Sequence, residues 1–297
     1  MKYQFWLLLI AAQLVWAMSY AAAKIALESF PVMMVVFLRY GFASMFFLGV
    51  WIYRGFPRFP IKLFFGIAAV GMVNFIVSPW LQVHSLQYTQ SIDASILVLF
   101  EPLVTMILAV AILGERFRKR LLFVTLLAIG GFFLLSDVEF SSIGDWSNLR
   151  LLGNLLFMGS LLSEATCSIT GKVFTREHSA LDVMGLMMVS AFLANGVWNI
   201  GTIVSFDYNS ASFRSWMSIG FMAIFCSVFA YTIWYKVIKE VEVQVVSLSL
   251  FLQPVLGSIV GLVWMGEQIS RSSLIGGMVI CVSLFWWQWK VSQEKSL

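Results

Sequence analysis

Three charged side chains, Glu101, Glu164 and Arg39, fall inside long apolar stretches of this sequence. A carboxylate at the centre of a bilayer costs at least ~2.5 kcal/mol, so it faces a cavity, binds a cation or stays protonated. Ionisable groups in such places usually serve a function. We predict that Glu101 exchanges a proton or contacts a transported molecule; the alternative is an ion pair with Arg39 that joins two helices.

Arg39 has two interpretations of its own. It either neutralises Glu101 or Glu164, or its guanidinium binds a substrate carboxylate through two parallel hydrogen bonds. For Arg39 we favour the ion pair. For Glu164 a functional and a structural role both stay open.

Polar residues also recur at steps of three or four along three apolar stretches, which places each set on one helix face. These stripes are Ser160, Glu164, Ser168 and Lys172; Gln13, Trp16, Tyr20 and Lys24; and Asn74, Ser78, Gln82 and Ser85. Such stripes either line a wet pathway or hydrogen-bond between helices. Because they occur in helices at matching positions, we favour the pathway. Trp16, Tyr231 and Trp234 either border that cavity or pack in the core.

Other chemistries find little support. The chain has three cysteines and two histidines, and it contains no P-loop, dinucleotide, zinc or nucleophile-elbow motif. We therefore expect no metal, no cofactor, no nucleic-acid partner and no enzymatic activity. Residues are 60% hydrophobic and 11% charged, where a soluble domain carries about 25% charged residues, so the chain belongs in lipid.

The apolar stretches predict an all-α membrane protein with ten transmembrane helices. We place the spans at 5–24, 31–53, 62–82, 91–113, 119–136, 151–172, 182–204, 215–236, 243–265 and 271–290. Alternate loops collect the basic residues, among them Arg54, Arg116, Arg118, Lys172 and Lys239. By the positive-inside rule both termini are cytoplasmic, in a multi-pass protein of the inner or plasma membrane.

A repeat organises these spans. Ser95–Glu115 returns as Ser247–Glu267, an offset of 152 residues (247 − 95), and each copy carries a proline, Pro102 or Pro254. An offset of five spans inverts the second copy, so we predict two inverted-topology repeats, 1–148 and 149–297. Gly257 and Gly261 form a GxxxG pattern that we assign to packing within the monomer, with a dimer interface as the alternative.

These residues resemble the EamA-type branch of the drug/metabolite transporter superfamily. The resemblance rests on Glu101-Pro102 and Gln253-Pro254, on the ends Gly114-Glu115 and Gly266-Glu267, and on Phe37-Leu38-Arg39. It implies a ten-helix exporter of amino acids, metabolites or drugs. The second half has Gln253 in place of the glutamate and lacks the arginine, so we expect a shared site to be asymmetric.

We therefore expect a secondary active transporter that exports small organic metabolites, amino acids or amphipathic compounds, as a monomer or homodimer in the bilayer. The two halves would rock about the helices of Pro102 and Pro254 in alternating access, and Glu101, with or without Glu164, would couple this movement to protons. A lipid flippase-like carrier and an intramembrane enzyme are the alternatives.

Overall fold

The computed structural model of the protein describes residues 3–85, 88, 97–98, 100–135, 148–265 and 271–293. These residues form helices and no strand, which confirms the all-α prediction. Within them, seven segments are long and apolar enough to cross a bilayer: Gln4–Leu27, Val32–Arg54, Ile61–Gln82, Leu151–Phe174, Ala180–Trp198, Phe213–Glu240 and Val243–Val260. Glu101–Leu113 and Leu274–Trp287 are shorter apolar helices. A total of ten spans remains a prediction.

We number the α-helices in chain order. They are α1 (Tyr3–Leu27), α2 (Val32–Arg54), α3 (Ile61–Met72), α4 (Ser78–Ser85), α5 (Glu101–Leu113), α6 (Lys119–Leu135), α7 (Asn148–Phe174), α8 (Ala180–Trp198), α9 (Ile200–Ser205), α10 (Phe213–Phe221), α11 (Tyr231–Glu240), α12 (Val243–Ser247), α13 (Leu252–Met265) and α14 (Arg271–Gln293). Short 3₁₀ turns occur at Tyr208–Ser210 and Leu248–Phe251. The predicted span 182–204 is interrupted at Asn199, whose φ of −106° ends α8.

Most of the strong packing joins the part of the chain before residue 148 to the part after it. Helix α1 packs against α13 and, through α10, against the span Phe213–Glu240. Helix α7 packs against α5 and, through α4, against the equivalent span Ile61–Gln82. Helices α2 and α3 both pack on α8, while α6 runs along α14. Equivalent helices thus make equivalent contacts, an arrangement that fits two intertwined repeats. The division at 148 itself remains a prediction.

Two π-helical segments occupy matching positions in this arrangement. Val73–Val77 joins α3 to α4, and Met222–Ala230 joins α10 to α11. The repeat offset of 152 maps 73–77 onto 225–229, inside the second segment. A π-helical turn disturbs the regular i→i−4 hydrogen bonds and often occurs at functional sites. Periodicity alone did not predict either segment.

Close helix contact depends on Gly71. A β-carbon there would lie 2.5 Å from the Cα and the carbonyl oxygen of Met187, where α3 crosses α8. At Gly257, by contrast, a β-carbon would meet no atom within 4 Å. No described atom lies that close to Gly257, so its assignment to packing within the monomer gains no support from the described residues and stays a prediction. Gly261 lies in α13, and its surroundings fall outside the described residues.

This difference predicts opposite outcomes for two alanine substitutions. Gly71→Ala forces α3 away from α8 and should destabilise the protein by about 1–3 kcal/mol, the usual range for overpacking. Gly257→Ala should leave stability unchanged or slightly higher, since alanine favours helix. Thermal unfolding of both variants in one detergent provides the measurement. Equal melting temperatures for Gly71→Ala and the parent would contradict this account.

Candidate functional site

A cavity of about 280 Å³ lies between helices from both parts of the chain. Its lining residues are Ala23, Leu27, Val32, Val35, Val36, Arg39, Tyr40, Asn74, Pro79, Gln82, Glu164, Met222 and Tyr231. Leu27 ends α1 and Val32 begins α2 at one membrane face, whereas Glu164 lies well inside α7 and Tyr231 lies well inside the span Phe213–Glu240. The cavity therefore extends from that face toward the middle of the bundle.

Glu164 is held in the cavity by α4. Its Oε1 accepts hydrogen bonds from Ser78 Oγ at 3.1 Å and Gln82 Nε2 at 2.7 Å. Ser78 and Gln82 are one turn apart, so both reach the same carboxylate. Within the third polar stripe, these two residues bind Glu164 across helices, and Asn74 and Gln82 line the cavity. The stripe thus combines both of its predicted roles.

Arg39 lies in α2 and is anchored by the second π segment. Its Nε donates to Ser227 Oγ at 2.8 Å, and its guanidinium carbon is 5.4 Å from the centre of the Tyr40 ring. Among the described residues it forms no ion pair with Glu101 or Glu164. The ion pair that we favoured does not form with a described carboxylate, because Arg39 is turned toward Ser227 in the π segment Met222–Ala230. Its terminal nitrogens make no hydrogen bond in the described part of the chain.

Glu101 lies in the first turn of α5, and Pro102 follows it. We predicted this pair for the middle of a helix, but the described helix begins at Glu101. A proline in the first turn costs no hydrogen bond, because N–H groups in the first turn have no acceptor within the helix. Pro254 likewise lies in the first turn of α13. Glu101 is partly buried beside α7 and close enough to Glu164 for the two carboxylates to interact electrostatically. It does not itself line the described cavity.

The equivalent position in the second part of the chain carries amides. Gln253 Nε2 donates to Gln13 Oε1 at 2.8 Å, and Gln13 Nε2 donates to Ser249 Oγ at 2.8 Å. Gln253 aligns with Glu101, and Gln13 belongs to α1, the counterpart of α7. One pair of neighbouring helices therefore brings together two carboxyl groups, and the matching pair brings together two uncharged amides.

Aromatic rings form a connected layer at the inner end of the cavity. The Trp16 ring lies 5.1 Å from Tyr231 and 5.7 Å from Trp234, both edge-on. Trp16 Nε1 donates to the carbonyl of Cys226 in the π segment, and Trp234 Nε1 donates to Ser168 Oγ. Of the three aromatics predicted to border the cavity, Tyr231 lines it directly. Trp16 packs against Tyr231, and Trp234 packs against Trp16, outside the lining of the described cavity.

Two further predicted residues differ in outcome. Asn74 lines the cavity with 5% of its surface exposed, and its Oδ1 has no hydrogen-bond partner in the part of the chain that the structure describes. A buried amide oxygen without a partner is costly, so a bound molecule that donates to it would remove that cost. Tyr20 lies in α1, and its side chain falls outside the described residues.

The other membrane face, where α2 ends and α11 ends, is closed by polar contacts. Glu115 follows α5, and its Oε1 lies 3.1 Å from Lys172 Nζ at the end of α7. The same carboxylate accepts from the backbone N–H groups of Val243 and Gln244, at 2.8 and 3.2 Å. We call Glu115, Lys172, Val243 and Gln244 the Glu115 clasp. The face that carries it also carries the basic loops, and we call it the basic face.

Sequence reasoning missed Ser227 and Tyr40. Ser227 is one hydroxyl in the apolar run Met222–Ala230, and hydroxyls of this kind are common in membrane helices. Only the π-helical turn aims it at Arg39. Tyr40 directly follows Arg39. Adjacent residues of a helix point to different faces, so helical spacing did not group Tyr40 with Arg39.

The sequence model described as the EamA-like transporter family matches residues 4–137 and again residues 151–287. The two matches cover most of the chain. The chain belongs to the EamA-like transporter family. It is therefore a multi-pass membrane protein of the EamA-type drug/metabolite transporters, as the sequence motifs indicated.

Several relatives resemble this transporter over most of its length. The uncharacterized transporter YetK of Bacillus subtilis is 26% identical over 282 residues, or 92% of this chain and 85% of YetK. An uncharacterized transporter of Archaeoglobus fulgidus is 23% identical, over 94% of this chain and 95% of its own. The uncharacterized inner membrane transporter YedA of Escherichia coli is 23% identical, over 89% and 83%.

The fold has a solved counterpart. One protein crystal structure superposes on this transporter with a TM-score of 0.78 at 16% sequence identity, covering 96% of both chains. At that identity the similarity concerns the fold alone. Equivalent helix packing therefore occurs in an experimentally determined structure.

The geometry of the cavity predicts which side chains water-soluble reagents reach. Cys167 and Cys226 are buried and Cys281 is exposed, so Cys281→Ala provides a background for thiol labelling. In it, Gln82→Cys should react readily with a small charged methanethiosulfonate, because Gln82 lines the cavity. Ser168→Cys, on α7 but nearer the clasp, should react at least tenfold more slowly. Equal labelling rates in the purified transporter would contradict this assignment.

Proposed function

We propose that this protein is a secondary active transporter that exports a small organic metabolite by alternating access. One observation carries the proposal: the cavity extends from one membrane face to Glu164 and Tyr231, while the Glu115 clasp joins the helix ends at the basic face. A cavity open to one side and closed to the other is what alternating access requires of a single state.

The size and lining of the cavity support a small cargo with an anionic group. Ligand sites for drug-sized molecules usually measure about 300–1,000 Å³, so a cavity of about 280 Å³ suits a smaller metabolite. The terminal nitrogens of Arg39 are available to a carboxylate, and Tyr231 offers an aromatic surface. Glu164 or Asn74 would bind an amino or hydroxyl group of the same molecule. Amino acids and related organic acids fit these features.

The carboxyl groups of Glu101 and Glu164 support coupling to protons. Two carboxylates that interact inside a membrane repel each other, so the pair is most stable with a proton or a cationic cargo group between them. A cargo amine reaching Glu164 would displace that proton, and the proton would return when the cargo leaves. The matching pair of helices carries the uncharged Gln13 and Gln253, so coupling would reside at one of the two equivalent interfaces between the repeats.

The direction of transport follows from loop charge and family resemblance. If the basic face is cytoplasmic, both termini lie in the cytoplasm and the described cavity opens to the outside. An exporter in this state has released its cargo and is ready to take up protons. The clasp must then open for cargo to enter from the cytoplasm.

Removal of either carboxyl group should uncouple flux from the proton gradient. We expect Glu101→Gln and Glu164→Gln each to lower gradient-driven uptake of amino acids into proteoliposomes at least tenfold, since each variant removes one proton-binding group. Uptake is measured with and without an imposed pH gradient. Glu177→Gln, an exposed carboxylate at the basic face, is the matched control and should transport as the parent does.

Proton coupling would be refuted if flux through the parent did not depend on the pH gradient and flux through Glu101→Gln equalled that of the parent. Translocation of a fluorescent lipid in place of amino acids would favour the flippase-like alternative. Chemical conversion of a compound without its movement across the membrane would favour the enzyme.

Substitutions of Arg39 should act on cargo affinity. A hydrogen bond to a charged group contributes about 1.5–3 kcal/mol, so Arg39→Gln should raise KM about 10- to 100-fold for anionic cargo. Arg39→Lys keeps the charge but loses the paired geometry and should be intermediate. Ser227→Ala removes the anchor alone and should have the smallest effect. An unchanged KM in Arg39→Gln would contradict this role.

A further inference from the structure

The Glu115 clasp is built by the local structure at the end of α5. Gly114 has φ of 68°, the left-handed conformation that glycine adopts without strain, and Glu115 N–H bonds back to the Ala109 carbonyl at 3.2 Å. This turn directs the Glu115 side chain across the helix end. The carboxylate therefore points at neighbouring helices and away from solvent.

Three donors from two other helices converge on this one carboxylate. Lys172 Nζ approaches from the end of α7, and the backbone N–H groups of Val243 and Gln244 approach from the start of the span Val243–Val260. Lys172 also donates to the Val241 carbonyl at 2.7 Å. The Glu115 side chain is 7% exposed, and Lys172 is 16% exposed, so water competes little for these contacts.

A neighbouring ion pair provides a contrast. Arg118 Nη2 lies 2.9 Å from Glu242 Oε1 at the same face, but the two side chains are 39% and 34% exposed. Exposed pairs of this kind contribute little to stability. Contacts at the basic face thus divide into one buried clasp and one solvated pair.

We propose that the Glu115 clasp holds the basic face shut and that it opens once in each transport cycle. The proposal rests on alternating access as proposed above. It adds the contacts that set the balance between the two states. A substitution that weakens the clasp lowers the population of the state that is closed at the basic face and raises the population of the other state. The free-energy difference between the two states changes by the stabilisation that the clasp loses.

Distances between spin labels test this directly in the full chain, reconstituted in lipid nanodiscs without cargo. Exposed positions serve as label sites: Glu177 and Glu240 at the basic face, and Glu28 and Asn209 at the opposite face, each pair as cysteines in Cys281→Ala. Pulsed dipolar spectroscopy then reports both faces of the same variant. Size-exclusion profiles matched to the parent establish that each variant is folded.

Glu115→Gln should raise the population with a long Glu177–Glu240 distance about tenfold and shorten the Glu28–Asn209 distance, because it weakens contacts to all three donors. Lys172→Met should act in the same direction but less, since the two N–H groups still bind Glu115. Lys172→Arg should restore the parent distances. Arg118→Gln, which breaks the solvated pair, is the matched control and should change neither distance.

If Glu115→Gln and Lys172→Met both show the distances of the parent, the clasp proposal is wrong, even if the protein transports cargo. Distances that shift as expected while no cargo moves would uphold the clasp and refute the proposed transport. Arg118→Gln shifting as strongly as Glu115→Gln would also overturn the clasp.

Discussion

A charged group inside a bilayer has no water to bind, so Arg39 and Glu164 depend on polar partners from other helices. Arg39 finds Ser227, and Glu164 finds Ser78 and Gln82. These contacts connect residues far apart in the sequence, and all three partners come from the other part of the chain. The same requirement therefore assembles the bundle and concentrates its polar side chains in one place.

The cavity is a consequence of that concentration. Helix packing brings Glu164 of α7 against α4 and aims Arg39 of α2 toward the second π segment. Apolar side chains such as Leu27 and Val35 complete the wall. A few fixed polar groups within an apolar enclosure are the usual composition of a ligand site. Tyr231 separates this space from the helix ends at the basic face.

The two parts of the chain are equivalent in their helix packing but differ in the polar residues at the matching interfaces. Equivalent helices make equivalent contacts, so both parts of the chain can in principle form the same interfaces. The chemistry is unequal, because Glu101 interacts with Glu164 where Gln253 hydrogen-bonds Gln13. A backbone that can adopt two inverted arrangements, with a charged pair on one side only, is suited to coupling movement to protons.

The sequence by itself determined the helical membrane class, the family, and the repeat that pairs Glu101 with Gln253, because apolar length and residue identity at a fixed offset are local properties. It also identified Glu164 and Arg39 as the costly charges. Only the tertiary structure decided their partners: among the described residues Arg39 binds Ser227 and no carboxylate. Helix periodicity gives a residue's face but does not give the helix opposite, since rotation, π-helical turns and crossing points depend on packing between distant parts of the chain.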